Sequence, residues 1–209
     1  MSIRNKRSKR SKSKRTTRDE IGRKSSGKII SVKDTNFTRK WFLSIDKDIK
    51  KTRFTSYRYV ADKIEEVLNN PLGWKRFGYK FERITPKEGL KLSKDKSNWK
   101  FIFHMRLSSE ATILKECKMK GLSCADLTTN QIFMNVRNWL YPPKASGFTR
   151  EEGMYYIVSH EIAHLFGKNH NKFPNDPNKP CPILTQQTVR PSPNSCFPNV
   201  YPLESDFLL

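Results

Sequence analysis

At 209 residues the chain has room for one domain of ordinary size plus a tail, and 41 Lys and Arg against 20 Asp and Glu give it a formal net charge of +21. Its apolar runs are only a few residues long, which excludes a transmembrane helix, since a span needs about 20 apolar residues. The cationic excess leaves catalysis open and points to polyanionic partners.

Residues 1–33 hold thirteen Lys or Arg against Asp19 and Glu20, with almost no large apolar side chains. Such a segment cannot offset the entropy of its own ordering, so a disordered basic tail is expected. Runs such as Lys6-Arg7-Ser8-Lys9-Arg10 and Lys12-Ser13-Lys14-Arg15 suit non-specific contact with nucleic acid or another polyanion, or a nuclear-import signal. Ile29-Ile30 is too short, and too far behind charge, to be a secretory signal core. The expected setting is therefore intracellular, including nuclear, or packaged in a virion. Residues 34–53 read as a linker or domain edge, and the folded domain is expected over 54–209.

Phe54 to Leu68 carries Tyr57, Val60, Ala61, Ile64, Val67 and Leu68 at helical spacing, and Asn69-Asn70-Pro71-Leu72-Gly73 ends it. Tyr79 to Ile84, Trp99 to Leu107 and Asn130 to Val136 read as strands. His104 lies in one of these and is expected to be a packing or surface residue rather than a metal ligand. Trp74, Trp99 and Trp139 are expected in the core. Four cysteines fall as two local pairs, and Cys117–Cys124 with Cys181–Cys196 is the economical disulfide pairing. Reduced, buried thiols are the alternative; neither pair has the spacing of a zinc knuckle.

Thr149 and Glu152 form a capping-box pattern at the start of a helix expected from about Arg150 to Phe166. Near its end stands His160-Glu161-Ile162-Ala163-His164-Leu165-Phe166-Gly167-Lys168-Asn169-His170. Two histidines four residues apart leave one helix face, so both can bind one Zn²⁺. Glu161, beside the first, is placed to act on water as a general base without binding the metal itself. Gly167 can take the positive φ that turns the chain and returns His170 as third ligand. Three ligands leave the fourth position open, as in catalytic rather than structural zinc sites. By background residue frequencies a chance match to the extended pattern is on the order of 10⁻⁵.

With these residues in view, the chain resembles the metzincin group of zinc metallopeptidases, whose signature continues to a tight turn containing Met. Here Cys181-Pro182-Ile183-Leu184-Thr185-Gln186-Gln187-Thr188 occupies that place, with Leu184 where Met is usual. The chain is more closely similar to a metzincin-like family, of unknown function, known mainly from actinobacterial secreted or membrane-anchored proteins. That similarity is carried by Gln186-Gln187-Thr188, Cys196-Phe197-Pro198-Asn199 with Tyr201-Pro202, Asn69-Asn70-Pro71-Leu72-Gly73-Trp74 and Asn135-Val136-Arg137-Asn138-Trp139. It spans Phe54 to Pro202. It implies an α+β fold with a mixed sheet, an active-site helix and an irregular C-terminal segment, together with zinc-dependent endopeptidase activity. One Zn²⁺ per chain would be held by His160, His164 and His170, with Glu161 as base, Leu184 in the turn below the metal, and Gln186 and Gln187 as candidate substrate or oxyanion contacts. The alternatives are a catalytically silent zinc-binding structural protein and a nucleic-acid-associated packaging protein acting through the tail.

Overall fold

The computed structural model describes residues 38–188 and 195–207, so the basic tail expected over 1–33 lies outside the described residues. Its frame is a mixed five-stranded sheet. The strands are β1 (Thr38–Ile45), β2 (Lys80–Arg83), β3 (Ile102–Ser108), β4 (Cys124–Asp126) and β5 (Gln131–Asn135). They lie in the order β2-β1-β3-β5-β4, all parallel except the edge strand β4, which runs antiparallel to β5. Five α-helices accompany them among the described residues: α1 (Tyr57–Leu68), α2 (Pro86–Leu92), α3 (Glu110–Cys117), α4 (Val136–Leu140) and α5 (Arg150–Leu165).

The connections explain which helix lies where. The crossover from β1 to β2 moves outward along the sheet, and the next, from β2 past β1 to β3, moves back. Parallel crossovers share one hand, so a reversal of direction sends successive helices to opposite faces. Accordingly α1 joins α5 on one face, where Trp41, Leu43, Met105, Leu107, Ile132 and Met134 of the strands meet Val60, Ile64, Met154, Val158 and Ile162. On the other face α2 covers Phe42, Ile84 and Ile102. Gly89 permits that approach, since a Cβ there would lie 2.2 Å from carbons of the Phe42 ring.

The segment 34–53, expected to be a linker or domain edge, is corrected here. It supplies β1, an interior strand whose Trp41 is fully buried. A parallel strand covered on both faces needs apolar residues in succession, not alternation, and Trp41-Phe42-Leu43 is such a run. The helix expected from Phe54 begins instead at Tyr57, because Ser56 sits in extended backbone and accepts the Tyr59 amide as N-cap. Trp74 and Trp139 are in the core, whereas Trp99 is only half-buried. His104 stacks on Phe42 and bonds Ser44, well away from the other histidines. Disulfides join Cys117 to Cys124 and Cys181 to Cys196. No described helix is long and apolar enough to cross a membrane.

Candidate metal centre

α5 starts as its sequence requires. The Thr149 amide donates to Glu152 at 2.7 Å while the Glu152 amide donates to the Thr149 hydroxyl at 3.3 Å. From there the helix is buried for most of its length, with His160 and Glu161 inside it. It ends at Leu165 with Phe166 as its C-cap, and Gly167 follows with φ of +77°. That left-handed turn costs a glycine little. The Gly167 and Lys168 amides donate back to the carbonyls of His164 and Ala163, and the chain returns past the helix end. The Asn171 amide then bonds the Leu184 carbonyl at 3.1 Å, fastening the return to the 181–188 turn.

The three motif histidines converge. Nε2 of His164 lies 3.0 Å from Nε2 of both His160 and His170, and the remaining pair is 3.1 Å apart. His160 Nδ1 donates to the Ile183 carbonyl at 2.7 Å, and His164 Nδ1 to the Lys168 carbonyl at 2.8 Å. A carbonyl can only accept, so both rings carry their proton on Nδ1 and turn Nε2 lone pairs toward each other. Hydrogen bonding cannot hold that triangle together, whereas a cation among the three nitrogens can. Tetrahedral zinc at about 2.0–2.1 Å from each nitrogen places them about 3.3 Å apart, close to the spacing found. The donor set therefore fits a metal ion, and among the described residues this is the one cluster of three His, Cys, Asp or Glu that does.

Burial grades across the cluster, from buried His160 through half-buried His164 to exposed His170. A depression of about 150 Å³ lined by Gly167, Lys168, Asn169, His170, Asn171 and Leu184 opens beside it. Burial, reinforced by the neighbouring imidazoles, pushes His160 well below the usual histidine range, keeping it in the neutral form that can bind metal. One residue on, Glu161 is buried and its Oε2 has no hydrogen-bond partner among the described residues. Burial alone lifts its carboxyl to about 8. A buried carboxyl oxygen without a partner is costly to folding, and carboxyls perturbed in this way cluster at functional sites.

Comparison with known proteins yields one match, a family model described as "Protein of unknown function (DUF3152)", over residues 12–206. The chain belongs to the DUF3152 family. No curated protein and no solved structure matches it.

In this DUF3152 chain the turn beneath the histidines is braced from several directions that sequence spacing could not reveal. Leu184 is buried in it. Asp206, almost fully buried, accepts the amides of Ile183 at 3.0 Å, Leu184 at 3.4 Å and Leu203 at 2.7 Å. Burial outweighs those donors and lifts its carboxyl above the usual range. The Tyr156 hydroxyl donates to the Thr185 carbonyl at 2.7 Å and accepts the Gln187 amide at 3.1 Å, while its ring lies 5.0 Å from that of His160. Gln187 is corrected as a candidate substrate contact. Its amide donates to the Pro182 carbonyl and accepts the Asn199 amide, and the residue is 3% exposed. Gln186, half-buried, lies with its amide 3.4 Å from Nδ1 of His170. Its oxygen is the atom that suits that place, because Nδ1 must donate if Nε2 is to bind metal.

Proposed function

We propose that this chain is a zinc-dependent endopeptidase with a metzincin-like domain. One observation carries the proposal: three Nε2 atoms converge within 3.1 Å of one another, and the residue that follows the first of these histidines is a buried Glu161 whose Oε2 has no partner among the described residues. Zinc held by His160, His164 and His170 would supply a Lewis acid for the scissile carbonyl and bring the pKa of a water toward 7. Glu161 takes the proton of the attacking water and returns it to the leaving amine. His160 and His164 are oriented for their task by the Ile183 and Lys168 carbonyls, which fix ring and tautomer together. The succession of parallel strands, an antiparallel edge strand, a ligand-bearing helix, a glycine turn and a buried Leu184 supports the metzincin-like reading. In that frame the edge strand β4, against which α5 packs, is where an extended peptide would add as a further strand.

Metal analysis of protein purified without added metal tests the proposal, together with cleavage of a mixed peptide library with and without chelator. The expected result is one zinc per chain, absent in His164→Ala, and chelator-sensitive cleavage that Glu161→Gln abolishes while keeping its zinc. Zinc without cleavage would favour a silent zinc-binding protein, and protein without metal would remove the basis of both readings.

A further inference from the structure

A row of polar side chains crosses the sheet face that carries Phe42 and α2. Ser44 of β1, His104 and Arg106 of β3 and Gln131 of β5 form it, with Ser44 opposite Arg106, and His104 opposite Phe42 on one side and Gln131 on the other. α3 lies on this face too, because the crossover from β3 to β5 continues in the direction of that from β2 to β3. α2 packs over β1 and β3, and α3 over β4 and β5, so the row runs between the two helices and each of its four residues is only half-buried. The Ser44 hydroxyl lies 2.7 Å from Nε2 of His104. The Gln131 side chain hydrogen-bonds the same ring and favours its charged form, which only the amide oxygen can do, as an acceptor. His104 therefore holds its proton on Nδ1, toward Gln131, and Nε2 accepts from Ser44. Phe42, stacked on the ring at 4.2 Å, completes its positioning. Next to Ser44, Arg106 is anchored through Nε, which donates to Asp46 at 2.6 Å, while its side chain stays 32% exposed.

We propose that Ser44, His104 and Gln131 form an esterolytic centre, a serine nucleophile with its base and the group that orients the base, separate from the histidine cluster. A serine hydroxyl is a weak nucleophile until a base within hydrogen-bond reach can take its proton, and an imidazole does so only in the tautomer that leaves the facing nitrogen free. Both conditions are met here. Ser44 Oγ attacks the ester carbonyl as its proton passes to His104 Nε2. The bond from the carbonyl carbon to the leaving oxygen then breaks, and the imidazolium returns the proton to that oxygen. Water cleaves the acyl-Ser44 ester by the same steps and frees the acid. Arg106, beside Ser44 in the row, supplies positive charge for the oxyanion. Burial, helped by the same guanidinium, lowers the pKa of His104 to about 4. The ring is thus neutral and able to accept a proton at pH 7, but it is a weak base, so the substrates are esters whose leaving group is a good one, such as a phenolate. None of this depends on the peptidase reading.

Pre-steady-state release of phenolate from p-nitrophenyl acetate by the full-length protein tests the proposal, with the acetylated residue located by mass spectrometry. The expected result is a burst approaching one phenolate per chain, acetyl on Ser44, and no change on adding chelator. Ser44→Ala should lose the burst, and His104→Gln should slow it about a hundredfold or more, the contribution of a positioned base. Melting curves establish that each variant is folded; Ser44→Ala removes a single oxygen and decides the matter alone if His104→Gln is not. A burst that survives Ser44→Ala, or acetylation of Ser44 at the same rate in folded His104→Gln, would overturn the proposal. Chelator-sensitive cleavage without acetyl-Ser44 would do so as well, by assigning ester hydrolysis to the metal centre. In each of these cases the Ser44–His104 hydrogen bond serves only to satisfy two half-buried polar groups.

Discussion

The two faces of the sheet solve the same packing problem with different residues, and only one of them carries the three convergent histidines. The face under α1 and α5 buries a broad apolar core, pairs Lys63 and Arg83 with carboxylates, and carries three imidazoles, two of which have their protons assigned by backbone carbonyls. The face under α2 has a small core of Phe42, Ile84 and Ile102; there Lys40 pairs with Glu88 at 3.9 Å, while Lys91, Lys94, Lys96 and Lys100 are exposed with no carboxylate partner among the described residues. Positional order belongs to the first and surface charge to the second. Ligand geometry has to be held to a fraction of an ångström, and the first face has the packing and the fixed tautomers that such a site needs.

The largest effect is expected on the first face. Glu161→Gln should lower turnover of a peptide substrate by about 10²–10⁴, the usual contribution of a positioned general base, with its metal content unchanged. Peptide cleavage assays beside metal analysis check this, and retained turnover would remove Glu161 from the role of base.

The two disulfides give a second contrast. Cys181–Cys196 closes a loop with sequence separation 15 around the turn below the histidines, and Cys117–Cys124 one of 7 beside α3 and β4. Loop entropy assigns them about 3 and about 2 kcal/mol. Replacing either pair by serines should lower unfolding stability by roughly those amounts in denaturant titrations. Only the Cys181, Cys196 double variant should also weaken metal binding, because only that loop carries Ile183 and Leu184. Equal metal affinity in both double variants would assign the turn's rigidity to hydrogen bonds alone.

His104 tests the opposite face by pH. Burial, helped by the Arg106 guanidinium and opposed by Gln131 and Asp46, lowers its pKa to about 4 from 6.5. Ser44 bonds its Nε2, and Phe42 stacks on the ring at 4.2 Å. Folding lowers the pKa of this base, so between pH 6.5 and about 4 the unfolded chain binds more protons than the folded one. The stabilisation is fully present above 6.5 and is lost as pH falls toward 4. It amounts to roughly 2 kcal/mol after allowance for the solvent that reaches the ring. His104→Gln should flatten the stability profile over that window without altering zinc content; an unchanged profile would show that other groups govern it.

What could be read from the chain in advance follows from where each constraint acts. The motif helix was legible because its cap, its apolar face and its ligands all lie within about twenty consecutive residues, and the glycine turn announced itself by composition. β1 was not legible, since a strand buried on both faces shows no alternation, and three apolar residues among charges look like an ordinary surface segment. The short helices α2 and α3 carry their caps at Thr85 and Ser109 but too few turns to display a period. Gln186 and Gln187 could not be told apart because adjacent residues point in opposite directions, and only the fold shows that one meets His170 while the other is built into the turn.

Asp206 was hidden for the same reason in stronger form: its partners Ile183 and Leu184 lie more than twenty residues away, and nothing in Glu204-Ser205-Asp206 distinguishes it from a solvent-exposed acid. Yet its carboxylate holds the amides of Ile183 and Leu184, and the Ile183 carbonyl holds the ring of His160. The chain of contacts makes it a positioning residue for the first ligand, acting through one peptide unit. Asp206→Asn keeps the volume but replaces one acceptor oxygen by an amide that faces a backbone N–H, so at least one of the three bonds is lost. Metal affinity should fall by about tenfold to a hundredfold, the range found when support behind a ligand is removed. A merely structural role would lower the melting temperature and leave affinity unchanged in the protein that is still folded. The cobalt-substituted variant separates the two: an altered visible spectrum at full metal loading means that His160 has moved, and a wild-type spectrum and affinity would confine Asp206 to fastening the C-terminal segment.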